Sequence, residues 1–233
     1  MRVVLSHTTH PGNIGAAARA MKTMGLRHLY LVNPKRFPHA EADAMASGAT
    51  DILAEARVCD TLEEALAGYA LVIGMSARKR ELTHALLSAR EAAAETLRLA
   101  TEHAVALVFG TEMSGLSNEE LIRCQHLAMI PADPVYSSLN LAAAVQVMSY
   151  ECRMAAGAHQ PASSASGFPP ATHEDLEGFY RHLEQTLIAI GFLNPAMPKR
   201  LMPRLRRLFS RARLEKEEVN ILRGILKALQ KPG

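Results

Sequence analysis

The 233-residue sequence predicts an α/β domain built on a mostly parallel sheet with helices on both faces, followed by a small α-helical extension. Three observations predict it. Short runs rich in Val, Leu and Ile recur along the first two thirds of the chain, each bounded by Gly, Pro, Asn or Asp. Helical stretches separate these runs, the alternation that gives parallel strands joined by crossover helices. After about residue 157 the composition turns to Pro, Ser, Gly and Ala, and only helical periodicity follows.

In chain order, Arg2 to Ser6 and His28 to Val32 read as buried strands with a helix over Ile14–Met24 between them. Ala70 to Gly74, Ala104 to Phe109 and His126 to Ile130 read as three more, accompanied by helices over Leu62–Ala67, Ala89–Leu99 and Asn118–Arg123. A long helix is expected from Ser138 to Ala158, capped by Ser137 or Ser138. The first domain therefore spans residues 1–158. Residues 159–172, within the run GAHQPASSASGFPPAT, form a linker. Residues 173–233 hold three helices, Glu174–Ile190, Lys199–Arg211 and Lys216–Leu229. In the second of these, Leu201, Leu205, Leu208 and Phe209 follow helical spacing and leave the arginines on the opposite face. A unit this small has a thin core and is expected to pack against something or exchange with a partner.

Composition narrows the function classes. Hydrophobic residues make up 48% of the chain, enough for a core. No window approaches the roughly 18 uninterrupted apolar residues of a membrane span. The start, MRVVLSHTTH, reads as a strand rather than a signal peptide. Cys59, Cys124 and Cys152 are isolated and odd in number, as in a reducing cytosol, so a cytoplasmic protein with ordinary buried thiols is expected. The net charge of +3 says little, but its distribution says more. Between Ala196 and Leu214 stand seven Lys or Arg residues and no acid, a concentration that attracts a phosphate backbone or simply forms a solvated basic face.

Three constellations carry the chemistry, and all lie near the carboxyl ends of strands, where ligands bind in open α/β sheets. The first is THPGNIGAAARAMKTMG, Thr9 to Gly25, in which Pro11 and Gly12 turn the chain into a helix opened by Asn13. Ala16, Ala17 and Ala18 let that helix approach another backbone closely, and Arg19 stands among them. The segment does not match GxGxxG, which opposes a dinucleotide-dependent oxidoreductase. The second is VFGTEMSGLSNEEL, Val108 to Leu121, where Ser117 and Glu120 have capping-box spacing. Glu112 in that loop is placed either to bind a ligand amine or to accept backbone N–H bonds. The third is IPADPVYSSLNLAAAVQV, Ile130 to Val147, with Tyr136, Ser137, Ser138 and Asn140 clustered at a helix start. His7 and His10 have no further ligands at metal-site spacing, so no metal is expected.

Taken together and in this order, the three segments resemble the motifs of the SpoU/TrmH branch of the SPOUT methyltransferases, from Arg2 to about Ala158. GNIGAAARAMKTMGL, LVIGMSAR, PVYSSLNLA and the tail LRRLFSRARLEKEEVNILRGIL are similar to the TrmJ-type subfamily of tRNA (cytidine/uridine-2′-O-)-methyltransferases. The resemblance implies a SPOUT fold with a C-terminal deep trefoil knot, which sequence physics would not predict. It implies S-adenosyl-L-methionine as cofactor, held by Met75, Ser76 and Ala77, by Phe109, Gly110 and Glu112, and by Ile130, Ser137, Ser138, Leu139 and Asn140. It implies a homodimer with the active site at the subunit interface, so that the small-residue face at Ala16 to Ala18 would meet a partner helix. It implies tRNA as substrate, methylated on the ribose of the first anticodon-loop nucleotide (position 32).

Within that frame Arg19 is expected to orient or activate the 2′-hydroxyl, with Asn13 supporting Arg19 and with Ser138 and Asn140 fixing cofactor and ribose. Arg78, Lys79 and Arg80, with Arg204, Arg206, Arg207 and Arg211 of the tail, are expected to contact RNA. Two positions depart from the pattern: Thr111 stands where an arginine is common, and Val135 where an acid is frequent. Methylation of another tRNA or rRNA site, or a non-catalytic RNA-binding module on the same fold, are the alternatives.

Overall fold

The structure is a computed structural model and describes residues 1–77, 86–158 and 169–230. Seven strands form one sheet: β1 (Arg2–Ser6), β2 (His28–Val32), β3 (Arg57–Cys59), β4 (Leu71–Met75), β5 (Leu86–Ser88), β6 (Val105–Phe109) and β7 (His126–Met129). Their order is β3-β2-β1-β6-β4-β7-β5, and every pairing is parallel. The chain builds outward from β1 through β3, crosses to β4 and β5, then returns to insert β6 and β7. As a result β6, β4 and β7 lie side by side, and the loops leaving their carboxyl ends share one neighbourhood.

The five predicted strands are present within a residue or two of their expected ends. Each reads as a continuous apolar run because both faces of a parallel sheet are covered. Alternate residues feed two cores. Val3, Leu5, Leu29, Leu31, Ile73, Leu107 and Phe109 face α1 (Pro11–Thr23), α2 (Ala40–Ala46), α3 (Thr50–Ala54), α5 (Ala89–Ala100) and α7 (Leu141–Ala158). Val4, Val32, Val72, Ala106 and Val108 face α4 (Leu62–Leu66) and α6 (Asn118–Ile122). The sequence reading missed β3 and β5, three-residue edge strands that are partly exposed and carry too little apolar alternation to register. It also missed α2 and α3.

The helix α1 corrects one expectation. Ala17 and Ala18 are fully buried, and Gly15 lies so close to α2 that a Cβ there would sit 2.0 Å from the Ala42 carbonyl oxygen. The small residues of this face are thus used largely inside the chain, against α2 and the sheet, rather than kept for a partner helix. The helix α7 also starts later than expected. Neither Ser137 nor Ser138 caps it; Asn140 does, its Oδ1 accepting from Ala142 N at 2.9 Å and Ala143 N at 3.4 Å.

The three predicted helices of the extension are α8 (His173–Ala189), α9 (Leu201–Ala212) and α10 (Lys216–Leu229). They close on Phe179, Tyr180, Leu183, Phe209, Val219 and Leu226, with Phe179 edge-on to Phe209 at 4.8 Å. Ala171 N donates to Leu214 O, and Lys216 N to Pro169 O, so the end of the expected linker is strapped to the α9–α10 turn. This thin-cored unit docks on its own chain. His173 N donates to Tyr69 O at 2.7 Å, Gly68 N to the Glu174 carboxylate at 2.7 Å, and Arg213 pairs with Glu95 at 3.2 Å. His126 and His173 are buried beside these contacts, and desolvation lowers both of their pKa values.

The Gly15 contact is testable. Gly15→Ala should destabilise the fold by about 2 kcal/mol, because α1 and α2 must separate to admit one methyl group. An unchanged urea midpoint would mean that the two backbones do not meet there.

Candidate active site at the carboxyl ends of the central strands

The loops leaving β4, β6 and β7 enclose a cavity of about 310 Å³. Met75, Ser76 and Ala77 form one wall, Phe109 to Leu116 the second, and Ile130 with Val135 to Leu139 the third, over a floor of Leu141 and Ala144 from the first turn of α7. Met75, Phe109, Ile130, Leu139 and Leu141 make part of the lining apolar, while Ser76, Ser137 and Ser138 supply hydroxyls. A cavity of this size and mixed lining suits a ligand with a flat apolar part and polar ends.

The second wall is folded back on itself. Thr111 N donates to Gly115 O at 3.2 Å, Gly115 N returns to Thr111 O at 3.0 Å, and the Thr111 and Ser114 hydroxyls meet at 2.8 Å. Thr111, one of the two departures from the family pattern, therefore closes the loop. Only glycine fits just before it: a Cβ at Gly110 would lie 2.1 Å from the Gly115 carbonyl carbon.

Glu112 in this loop settles into the backbone-accepting alternative. Its carboxylate accepts from Thr9 N at 3.1 Å, Thr9 Oγ1 at 2.9 Å, His10 N at 3.1 Å and Asn13 Nδ2 at 3.0 Å. Partial burial pushes this carboxyl up, but the Asn13 amide and the backbone N–H groups around it outweigh burial and hold its pKa at about 2. Asn13 in turn accepts from Asn140 Nδ2 at 2.9 Å, and Asn140 caps α7. One hydrogen-bonded chain, Glu112–Asn13–Asn140, thus ties together all three sequence constellations. Asn13 was expected to support Arg19; its amide is instead occupied by Glu112 and Asn140. Ser117 and Glu120 form the predicted capping box, and the buried Ser6 hydroxyl also donates to Glu120.

The structure brings most of the predicted residues together. Met75, Ser76, Ala77, Phe109, Gly110, Glu112, Ile130, Ser137, Ser138 and Leu139 all line the cavity. Asn13 and Asn140 brace it from outside. Arg19 does not line it; the side chain is exposed on α1 and makes no hydrogen bond or ion pair with the described residues. Arg78, Lys79 and Arg80 lie outside the described residues. In the tail, Arg204, Arg207 and Arg211 are exposed on one face of α9, as expected. Arg206 is not on that face. It forks onto the Glu177 carboxylate, with Nη2 at 2.9 Å, and lies 4.3 Å over the Tyr180 ring, so it holds α9 to α8. Sequence reasoning missed Thr9 and His10, whose backbone N–H groups carry no sequence signal. It also missed Leu141 and Ala144, which a helix start at Asn140 would have placed three residues apart on one face.

The depressed Glu112 pKa gives this site a signature in acid. Stability from a carboxylate held below its usual value is complete above about pH 4.5 and is lost as pH falls toward 2. Glu112→Gln should therefore destabilise the protein at pH 6 and flatten the decline of its urea midpoint between pH 4.5 and 3. Equal pH dependence in both proteins would show that the carboxylate is not held as described.

The chain is similar to known proteins over its whole length. Residues 1–150 match the SpoU rRNA Methylase family, and residues 174–233 match the tRNA methyltransferase TrmJ, C-terminal domain. It is 56% identical to the tRNA (cytidine/uridine/adenosine-2′-O-)-methyltransferase TrmJ of Pseudomonas aeruginosa, over 99% of this chain and 94% of that one. It is 50% identical to the tRNA (cytidine/uridine-2′-O-)-methyltransferase TrmJ of Yersinia pestis, over 99% and 91%. Among solved structures, TrmJ from Z. mobilis superposes with a TM-score of 0.86 at 34% identity, covering 99% of each chain. The motif loops, the cavity they enclose and the helical unit behind them belong together because this chain is a member of the SpoU methylase family, in its TrmJ branch.

Proposed function

We propose that this chain transfers a methyl group from S-adenosyl-L-methionine to the ribose 2′-hydroxyl of tRNA, at a cytidine or uridine that opens the anticodon loop. One observation carries the reading: in a TrmJ-branch chain, three motif loops converge on one cavity whose lining suits this cofactor. The apolar side chains of Met75, Phe109, Ile130, Leu139 and Leu141 suit a purine ring, and Ser76, Ser137 and Ser138 suit a ribose and an amino-acid end. Glu112 serves the cofactor indirectly, by holding its loop, since its carboxylate is already taken by donors from α1 and the turn before it. Residues 1–158 are then the methyltransferase domain, with α7 drawn through a loop to make the family's trefoil knot, and residues 173–233 are the tRNA-binding domain.

The cofactor supplies a methyl group already activated on a sulfonium, so the protein's work is alignment and removal of one proton. Arg19 orients the 2′-hydroxyl. A guanidinium is a poor base, so the proton passes to a group beside it, for which an RNA phosphate is suited. Ser138, on the cavity wall, positions the reactants, and Asn140 serves by holding the start of α7 through Asn13. The exposure of Arg19 away from its own cavity supports a homodimer in which each Arg19 serves the cavity of the other copy. So does the apolar rim of the cavity, where Met113 and Val135 are each 94% exposed and Tyr136 is 82% exposed. Arg204, Arg207 and Arg211, with Arg78, Lys79 and Arg80, contact the tRNA backbone.

Arg19→Ala should leave cofactor affinity within about twofold by calorimetry and lower single-turnover methyl transfer by at least about 100-fold. Unchanged transfer would remove Arg19 from the mechanism. The reading as a whole is tested with labelled cofactor and tRNA transcripts carrying C, U or A at the first anticodon-loop nucleotide. Label on that ribose is the expected result. Label elsewhere would overturn the target, and cofactor binding without any transfer would leave an RNA-binding module.

A further inference from the structure

The corner between α8 and α9 carries exposed apolar side chains on a well-held backbone. Ile190 N, Phe192 N and Leu193 N all donate back into the last turn of α8, at 2.9–3.0 Å. Leu193 is buried and anchors the corner, while the adjacent Phe192 is 68% exposed and Met197 is 66% exposed. Asn194 then fixes the return, its side chain accepting from Ala196 N at 2.9 Å and its carbonyl from Met197 N at 3.0 Å. Phe192 is therefore presented to solvent by a fixed loop, at a cost in exposed apolar area that folding of this unit does not explain.

The charge around it identifies the occupant. Phe192, Met197, Lys199, Arg200, Leu201 and Arg204 line one concavity. Between Gln185 and Leu214 there is no Asp or Glu. Arg206 and Arg213 neutralise Glu177 and Glu95, but Arg204, Arg207 and Arg211 stay exposed and continue from the concavity along α9. At 1.5 Å per residue the last three make a stripe about 10 Å long, on the scale of successive phosphates. An exposed aromatic ring flanked by cations is the arrangement that takes an unpaired base on the ring and its phosphates on the charges.

We infer that this corner is a nucleotide-binding subsite, in which Phe192 stacks one unpaired base of the substrate RNA while Lys199 and Arg204 hold the phosphates beside it. The inference rests on the tRNA reading above and adds the site that grips a splayed nucleotide away from the methylated ribose. Arg207 and Arg211 carry the neighbouring backbone.

The test is tRNA binding by the full chain, measured by fluorescence anisotropy over a series of salt concentrations. Phe192→Leu keeps apolar bulk but removes the stacking face; it should weaken binding about tenfold with an unchanged salt slope and an unchanged melting temperature. Phe192→Tyr should bind like the wild type. Arg204→Gln should flatten the slope of log K against log salt by about 0.7–0.9, the loss of one phosphate contact. If Phe192→Leu binds as tightly as wild type while the wild type binds and methylates tRNA, the subsite is wrong and the function stands. If the wild type neither binds nor methylates tRNA, both fall. Wild-type binding to phosphatidylserine vesicles that Phe192→Leu abolishes, with tRNA binding intact, would reassign the corner to a lipid surface.

Discussion

The carboxylate of Glu112 is held by donors from a different part of the chain, and the site depends on that grip. Thr9, His10 and Asn13 belong to the turn and helix that follow the first strand, and Glu112 belongs to the loop that follows the sixth. Because Asn13 also accepts from Asn140, the start of α7 is placed by the same chain of bonds. A carboxylate taken partly out of water is stable only while these donors stay in place, so the three loops cannot drift independently. Residues separated by about 100 positions or more become one rigid frame around a cavity. That frame holds the cavity walls in one arrangement, which is a condition for pre-organised binding.

The sheet order explains why three loops suffice. Inserting β6 and β7 on either side of β4 puts the carboxyl ends of all three strands side by side. The third loop, after β7, is long and exposed, and it can cover the cavity because α7 does not begin until Leu141. Close packing of α1 on α2 through Gly15 and on the sheet through Ala17 and Ala18 makes α1 a rigid support. Arg19 is thereby carried on a fixed helix yet points away from the described chain, the placement that a contribution to a second copy's site would use.

In the helical unit, arginines of one sequence run divide between two jobs. Arg206 lies between Glu177 and Tyr180 and locks α9 onto α8, and Arg213 locks the unit to Glu95 of the α/β domain. Arg204, Arg207 and Arg211 remain exposed. A guanidinium can serve either purpose, and which one it serves is set by whether a carboxylate from another helix reaches it. The unit's docking onto Gly68 and Tyr69 fixes where its basic face points relative to the cavity.

The sequence by itself determined the α/β class, five of the seven strands, the three tail helices and ten of the nineteen residues that line the cavity. These were legible because a sheet covered on both faces needs continuous apolar strands, and because the motif residues stand in fixed order at strand ends. Only the tertiary structure decided the partners. The edge strands at Arg57 and Leu86 exist because neighbours pair with them, not because three residues favour a strand. Asn13 joins Glu112 and Asn140 rather than Arg19, Asn140 displaces two serines as the cap of α7, and Ala17 and Ala18 are spent inside the chain. Arg206 leaves the basic face for Glu177. In each case the residue's chemistry was readable, but a hydrogen bond or a close contact needs a second group, and folding alone brings that group within reach.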